Sequence, residues 1–201
     1  DKGVDAGSII VSGVPVRNEF KTKNVARETC KEKRLLIMGG GLGLLPKSKS
    51  FYEELDQLDG VKTTIITGKN AALYNLLSSS SYNNIEVLAL VNNVPNYMKN
   101  ADALLSKPGG ITIFEAISAE LPMMMFKPFL EQEIKNGEFM LDNNFGIVLP
   151  ADQQELMAKI QEVLWDDEML KKLRANMHEF KSKLDEDALF RLIQQFEKKS
   201  A

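Results

Sequence analysis

The chain has 201 residues with 25 basic and 28 acidic side chains, a formal net charge of −3; this length supports one well-cored domain with appendages, and the balance argues against a polyanion-binding surface and so against nucleic acid as a partner. Its single cysteine, Cys30, rules out an internal disulfide and supports neither a metal cluster nor a thiol active site, while its single histidine, His178, stands beside Glu179 late in a helical run, where a solvated role fits. No apolar run approaches the roughly 20 residues that cross a bilayer, and no signal-peptide pattern opens the chain.

Taken in order, Ile9 to Ser12 reads as a short apolar strand ending in Gly13-Val14-Pro15-Val16-Arg17, a turn that sets one guanidinium after a rigid bend. Lys21 to Lys33 is charged and aperiodic, as an exposed connection would be. Strands are then predicted at Arg34 to Met38, Val61 to Thr67, Ile85 to Leu88, Ala103 to Ser106, Pro122 to Phe126 and Phe145 to Leu149. Between them fall helices holding Phe51, Leu55 and Leu58, then Asn70 to Leu77, Val94 to Asn100, one from Thr112 and one from about Glu133. Unbroken apolar strands alternating with helices imply an α/β domain with a parallel sheet covered on both faces. Met123, Met124 and Met125 are then core strand residues. After Pro150 the chain is helical, with Asp152 and Asp166 as predicted N-caps. A last helix from Asp185 to Phe196 carries Leu189, Leu192, Ile193 and Phe196 on one face, a stripe that needs a partner surface.

Three glycine-bearing loops, at 39–43, at 109–110 and at 13, would lie at carboxyl ends of parallel strands, where open α/β sheets bind ligands. Gly39-Gly40-Gly41-Leu42-Gly43 approaches a dinucleotide fingerprint, but Ile65-Ile66-Thr67-Gly68-Lys69 offers no acidic residue after the second strand, and no Walker pattern exists. That loop serves a ligand or tight helix–strand packing equally well. Pro108-Gly109-Gly110-Ile111-Thr112 is the sharper signal, because it leaves the first amides of a helix uncovered, and such amides attract phosphate. Glu115, read as three residues into that helix, is either a solvated first-turn glutamate favoured by the helix dipole or a carboxylate that accepts hydrogen bonds from ribose hydroxyls. Gln132 and Asn136, four apart, share a helix face and can donate and accept toward sugar hydroxyls; without context they are ordinary loop and cap residues.

In order, Ile10-Val11-Ser12-Gly13-Val14-Pro15-Val16-Arg17, Met38-Gly39-Gly40-Gly41-Leu42-Gly43, Ser106-Lys107-Pro108-Gly109-Gly110-Ile111-Thr112-Ile113-Phe114-Glu115-Ala116, and Lys127-Pro128 followed by Gln132-Glu133 and Asn136 resemble the C-terminal, donor-binding half of the MurG-like glycosyltransferases. Within that group the chain looks most like processive diacylglycerol glucosyltransferases and monogalactosyldiacylglycerol synthases. The resemblance implies a Rossmann-like three-layer domain, the C-terminal half of a GT-B glycosyltransferase, with residues 1–33 as interdomain connection and linker, 34–180 as the UDP-sugar-binding domain and 181–201 as a C-terminal crossover helix. It implies an inverting hexosyl transfer from a UDP-hexose donor to a lipid acceptor such as diacylglycerol, without cofactor or metal, by a cytoplasmic protein peripheral on the membrane.

By the same resemblance Glu115 holds the ribose, Gly109, Gly110, Ile111 and Thr112 with Gly40, Gly41 and Gly43 face the diphosphate, Gln132 and Asn136 touch the hexose, and Arg17 lies near the cleft. Two departures stand out: Glu131 where relatives have glycine, and Leu44-Leu45 where they carry a further small residue. Acceptor site, catalytic base and membrane-docking surface belong to the family's N-terminal domain, so a chain starting at Asp1 is expected to bind nucleotide but turn over little donor. A donor-binding subunit acting with a separate membrane-bound partner, or a catalytically silent interaction module that docks by its last helix, are the competing expectations.

Overall fold

Each apolar run that the sequence alternates with a helical pattern forms a strand of a single sheet. The computed structural model describes residues 3–5, 7, 9, 13–20, 31–185 and 188–199. Strands β1 (Lys33–Met38), β2 (Val61–Ile66), β3 (Ile85–Leu88), β4 (Ala103–Ser106), β5 (Met123–Met125) and β6 (Gly146–Val148) pair in the order β3-β2-β1-β4-β5-β6. Every neighbouring pair is parallel. The helices are α1 (Lys49–Asp56), α2 (Ala71–Ser78), α3 (Val94–Asn100), α4 (Gly110–Ser118), α5 (Glu131–Asp142), α6 (Gln153–Trp165), α7 (Asp167–Ser182) and α8 (Ala188–Lys199).

Alternation along β1 builds the two cores. Leu35 and Ile37 face Phe51 and Leu55 of α1, Leu73 of α2 and Ile160 of α6, whereas Leu36 and Met38 face Met98 of α3, Ile113 of α4 and Met140 of α5. Each fully buried side chain of this kind contributes about 1.5–3 kcal/mol. The three consecutive methionines of β5 are buried, Met124 in the first core and Met123 and Met125 in the second. Helix α7 closes one end of both layers through Leu170 and Met177. The predicted caps are in place: Asp152 accepts from the amides of Gln154 and Glu155, and Asp166 from that of Met169.

The strand order reverses between β1 and β4, so the crevice beyond their carboxyl ends is the topological switch point. There the buried Ser106 hydroxyl donates to the Met38 carbonyl at 2.7 Å, tying the two strand ends together.

Several boundaries differ from the sequence reading. Lys33, expected in the linker, opens β1; its buried ammonium bonds Asp167 and lies over the Trp165 ring. Helix α4 begins at Gly110 rather than Thr112, and α5 at Glu131 rather than about Glu133. Helix α7 runs on to Ser182, past the expected domain boundary at 180. Residues 10–12 and 21–30 lie outside the described residues, as do the side chains of Leu189 and Phe196; on α8, Leu192 and Ile193 are exposed.

Candidate functional site

The bend after β4 is built to leave a helix end open. Pro108 leads into Gly109, which caps α4 in an extended conformation (φ −74°, ψ 141°) without a side-chain cap bond. The Gly109 amide turns back to the Lys107 carbonyl at 2.8 Å, and the first helical bond runs from the Ile113 amide to the Gly109 carbonyl at 3.0 Å. Between them the amides of Gly110, Ile111 and Thr112 have no acceptor among the described residues, the unmet donors that every helix start presents. A Cβ added at Gly109 would meet nothing nearer than 3.7 Å, and at Gly110 nothing nearer than 3.9 Å. The small residues keep the approach to those amides clear.

Starting α4 at Gly110 moves Glu115 into the second turn and removes the first-turn dipole as the reason for its presence. Its carboxylate is half-buried and has no hydrogen-bond or ion-pair partner among the described residues. Burial pushes it above the usual carboxylate range, and the Arg17 charge pulls the other way. A carboxylate held partly desolvated without an internal donor suits an external one.

Arg17 is brought to the same place across a long stretch of chain. Its guanidinium donates to the Asn92 carbonyl in the loop after β3 at 3.0 Å and lies over the Phe20 ring at 5.4 Å. Phe20 is fully buried in the second core and so anchors the turn that carries Arg17.

The other two predicted groups divide unevenly. Asn136 reaches from α5 to the bend, its amide donating to the Pro108 carbonyl at 2.9 Å, which leaves its oxygen as the remaining acceptor. Gln132 is exposed in the first turn of α5. Glu131 turns to Lys135 at 2.7 Å along the helix surface, so its charge is partnered there. In the loop after β1, the Gly43 amide is committed to the Gly40 carbonyl at 3.0 Å and the Leu44 amide to the Gly39 carbonyl at 2.9 Å. Of the predicted trio only Gly40 and Gly41 have amides without a backbone acceptor among the described residues, and a Cβ on either would meet open space.

Two ionisable residues of the same motifs, Lys107 and Glu133, also meet at this site. The Lys107 ammonium lies 3.8 Å from one Glu133 oxygen and 4.5 Å from the centroid of the Phe129 ring. The other Glu133 oxygen is shielded from solvent without a hydrogen-bond partner among the described residues. The signal in the sequence was an ionisable residue on each side of the site, one just before Pro108 and one just after Gln132; spacing alone could not pair them.

Among the described residues no three His, Cys, Asp or Glu side chains gather as a metal cluster, and no helix is long and apolar enough to cross a membrane.

A parallel sheet with an open, amide-lined helix start at its switch point defines a Rossmann-like domain of the kind that forms half of a GT-B glycosyltransferase. The chain belongs to glycosyltransferase family 28: residues 34–192 match the model of that family's C-terminal domain. It is 29% identical over 185 residues to the processive diacylglycerol beta-glucosyltransferase of Bacillus subtilis (strain 168), covering 87% of this chain and 48% of that protein. The Bacillus cereus (strain ATCC 14579) protein of the same description is 30% identical over 187 residues, covering 88% and 48%. The chain therefore spans about half the length of the curated relatives it matches. Among solved structures, Acinetobacter baumannii MurG superposes with a TM-score of 0.64 at 17% identity, covering 90% of this chain and 52% of that one. The spinosyn rhamnosyltransferase SpnG complexed with thymidine diphosphate superposes with a TM-score of 0.67 at 19% identity, covering 96% and 53%.

Proposed function

We propose that this chain is the donor-binding half of an inverting glycosyltransferase that passes a hexose from a uridine diphosphate sugar to the hydroxyl of a lipid such as diacylglycerol. The observation that carries the reading is the convergence of three unpaired amides, at Gly110, Ile111 and Thr112, with the half-buried, unpartnered Glu115 on the same helix. The amides and the positive end of α4 take the diphosphate, Glu115 takes the two ribose hydroxyls, and Arg17 adds positive charge beside them. Gly40 and Gly41 let the backbone after β1 approach the phosphates. Gln132 and the free oxygen of Asn136 take hexose hydroxyls.

In the reaction the acceptor oxygen forms its bond to the anomeric carbon on the face opposite the leaving group. The bond from that carbon to the phosphate oxygen breaks with its electron pair, and the charge that develops on the nucleotide is stabilised by preorganised amides. The acceptor's proton goes to a base on the other half of the transferase.

Three further features support the reading. A structural neighbour of the same architecture is described in complex with thymidine diphosphate, and the curated relatives are diacylglycerol glucosyltransferases. Leu42, Leu44, Ile111, Phe129 and Leu130 are exposed on segments that follow the carboxyl ends of strands, a surface suited to face a second domain. In this reading residues 1–33 connect the halves, 34–180 bind the donor and 181–201 cross back. The acceptor site and a peripheral attachment to the cytoplasmic membrane face belong to the remaining half of the full-length transferase.

Isothermal titration of the 201-residue chain with UDP, UDP-glucose, UDP-galactose and UDP-N-acetylglucosamine tests the proposal. Saturable binding of UDP is expected, with one sugar preferred and little donor consumed. Absence of UDP binding would end the reading, and turnover at the rate of a complete transferase would end the assignment of the chain as the donor half alone.

A further inference from the structure

The Lys107–Glu133 pair is a poor way to stabilise a fold. Its closest approach is 3.8 Å, longer than a hydrogen bond, and the side chains are only 25% and 14% exposed. One Glu133 oxygen is left without a donor among the described residues and away from solvent. Two charges desolvated to this degree recover their cost only with close geometry and satisfied lone pairs, which this pair lacks. The Lys107 ammonium also lies 4.5 Å from the centroid of the Phe129 ring, a cation–π contact with a ring that is itself 67% exposed.

What the pair does achieve is registration. Lys107 is the residue between β4 and Pro108, and Glu133 is in the first turn of α5 next to Gln132. A second link runs parallel to it, from the Asn136 amide to the Pro108 carbonyl at 2.9 Å. The bend that presents the α4 amides and the turn that presents Gln132 are thus fastened at two points, one charged and one neutral. Two links suppress rotation of α5 about either one.

We infer that Lys107 is a positioning residue: through Glu133 it fixes the first turn of α5 against the Pro108 bend, and so sets the distance between the diphosphate grip and the hexose-recognising Gln132. This rests on the donor-binding reading above. The consequence is a separation of two affinities. Loss of the charge pair leaves the amides and Glu115 intact, so UDP binds as before, while the additional affinity contributed by the hexose is lost.

The test is titration of the 201-residue chain and its variants with UDP and with whichever of UDP-glucose or UDP-galactose the wild type prefers, beside thermal unfolding. Lys107→Met is expected to leave the UDP dissociation constant within about twofold and to reduce the preference for the UDP-hexose over UDP by about 3- to 10-fold, the worth of one misplaced neutral hydrogen bond. Glu133→Gln, which keeps the shape and removes the charge, should do the same, and Lys107→Arg should restore the preference. The double variant Lys107→Met with Glu133→Gln buries no charge and should melt no lower than either single one, while still lacking the hexose preference.

An unchanged hexose preference in Lys107→Met and Glu133→Gln overturns the inference. So does a wild type that binds UDP but gains nothing from the hexose, and so does an equal loss of UDP and UDP-hexose affinity, which would put Lys107 on the phosphates. A wild type that fails to bind UDP overturns the donor-binding reading itself, a different result from any of these.

Discussion

The loops that follow β1 and β4 are both rich in glycine, yet their glycines answer to different neighbours. In the loop after β1, a Cβ at Gly43 would stand 1.9 Å from the Thr67 carbonyl oxygen, and one at Gly39 would stand 2.5 Å from the Leu44 amide. Gly43 also has a φ of +61°. These two positions are glycine because the protein itself occupies the space. After β4, a Cβ at Gly109 or Gly110 would meet only ordinary contacts, at 3.7 Å and 3.9 Å, and neither residue has a positive φ. Nothing inside the fold requires them to be small, which fits the proposed approach of a diphosphate to the α4 amides. Gly41 sides with the second group although it sits in the first loop.

The sharpest division is by substitution with alanine. Gly43→Ala should destabilise by about 2–5 kcal/mol, combining a left-handed backbone with a clash against backbone that cannot move aside, read as a lower midpoint in urea unfolding at unchanged slope. Glu115→Gln should do the reverse of a structural lesion. Removal of a partly desolvated charge leaves the melting temperature equal or higher, while UDP affinity falls by about 10- to 100-fold as a charge-assisted acceptor becomes neutral. The pH profile carries the sign. With its proton held more tightly in the folded chain than in the unfolded one, Glu115 subtracts stability as pH rises through the carboxylate range. UDP affinity should fall on acidification earlier than an ordinary glutamate would dictate, and Glu115→Gln should lack both effects.

Gly110→Ala comes next in size. Alanine replaces glycine at the first position of α4 without a clash, so stability holds or rises slightly, and UDP affinity drops by about tenfold as the methyl group enters the anion's approach. Equal UDP affinity in Gly110→Ala and wild type would erase the distinction between the two loops. A Gly43→Ala chain as stable as wild type would erase it from the other side.

Much of this was legible in the sequence because the physics is local. Leu35-Leu36-Ile37-Met38 and Ala103-Leu104-Leu105-Ser106 read as strands buried on both faces because no polar residue interrupts their apolar stretch, and Asp152 and Asp166 read as caps because a carboxylate just before a periodic run has few other uses. The Pro108 bend was visible for the same reason. The family match over residues 34–192 agrees with the resemblance carried by these motifs. What escaped depends on residues far apart in the chain. Glycine is a poor helix former, so the sequence placed the start of α4 at Thr112; in the folded chain Gly110 already lies in the helix, one residue beyond a bend whose Pro108 carbonyl is held by Asn136. Gly43 and Gly41 cannot be told apart without knowing where the Thr67 carbonyl lies. Lys107 and Glu133 meet only because β4 and β5 are neighbours.

The far end of α4 offers a smaller and cleaner version of the same contrast. Helix α4 ends into Glu120, which adopts a φ of +51°, where glycine would be the inexpensive residue. Here the partner is internal: the Glu120 carboxylate accepts from Lys181 at 2.7 Å and from His178 at 3.0 Å, and Lys181 also donates to the Ser118 carbonyl at 3.1 Å. Burial alone would raise the Glu120 carboxyl, but the hydrogen bonds from Lys181 and His178 hold it below the usual range. Its contribution to stability is therefore present above the ordinary carboxylate range and lost as pH falls through and below that range. Glu120→Ala keeps the left-handed strain and loses the contacts; Glu120→Gly loses the contacts and relieves the strain, so it should be the more stable of the two by about 1 kcal/mol. Neither should alter UDP affinity, and both should lose the acid-dependent part of the stability profile. If Glu120→Gly proved no more stable than Glu120→Ala, a residue at odds with its backbone would not mark a partner even here, just past the end of α4, where the partner is in view.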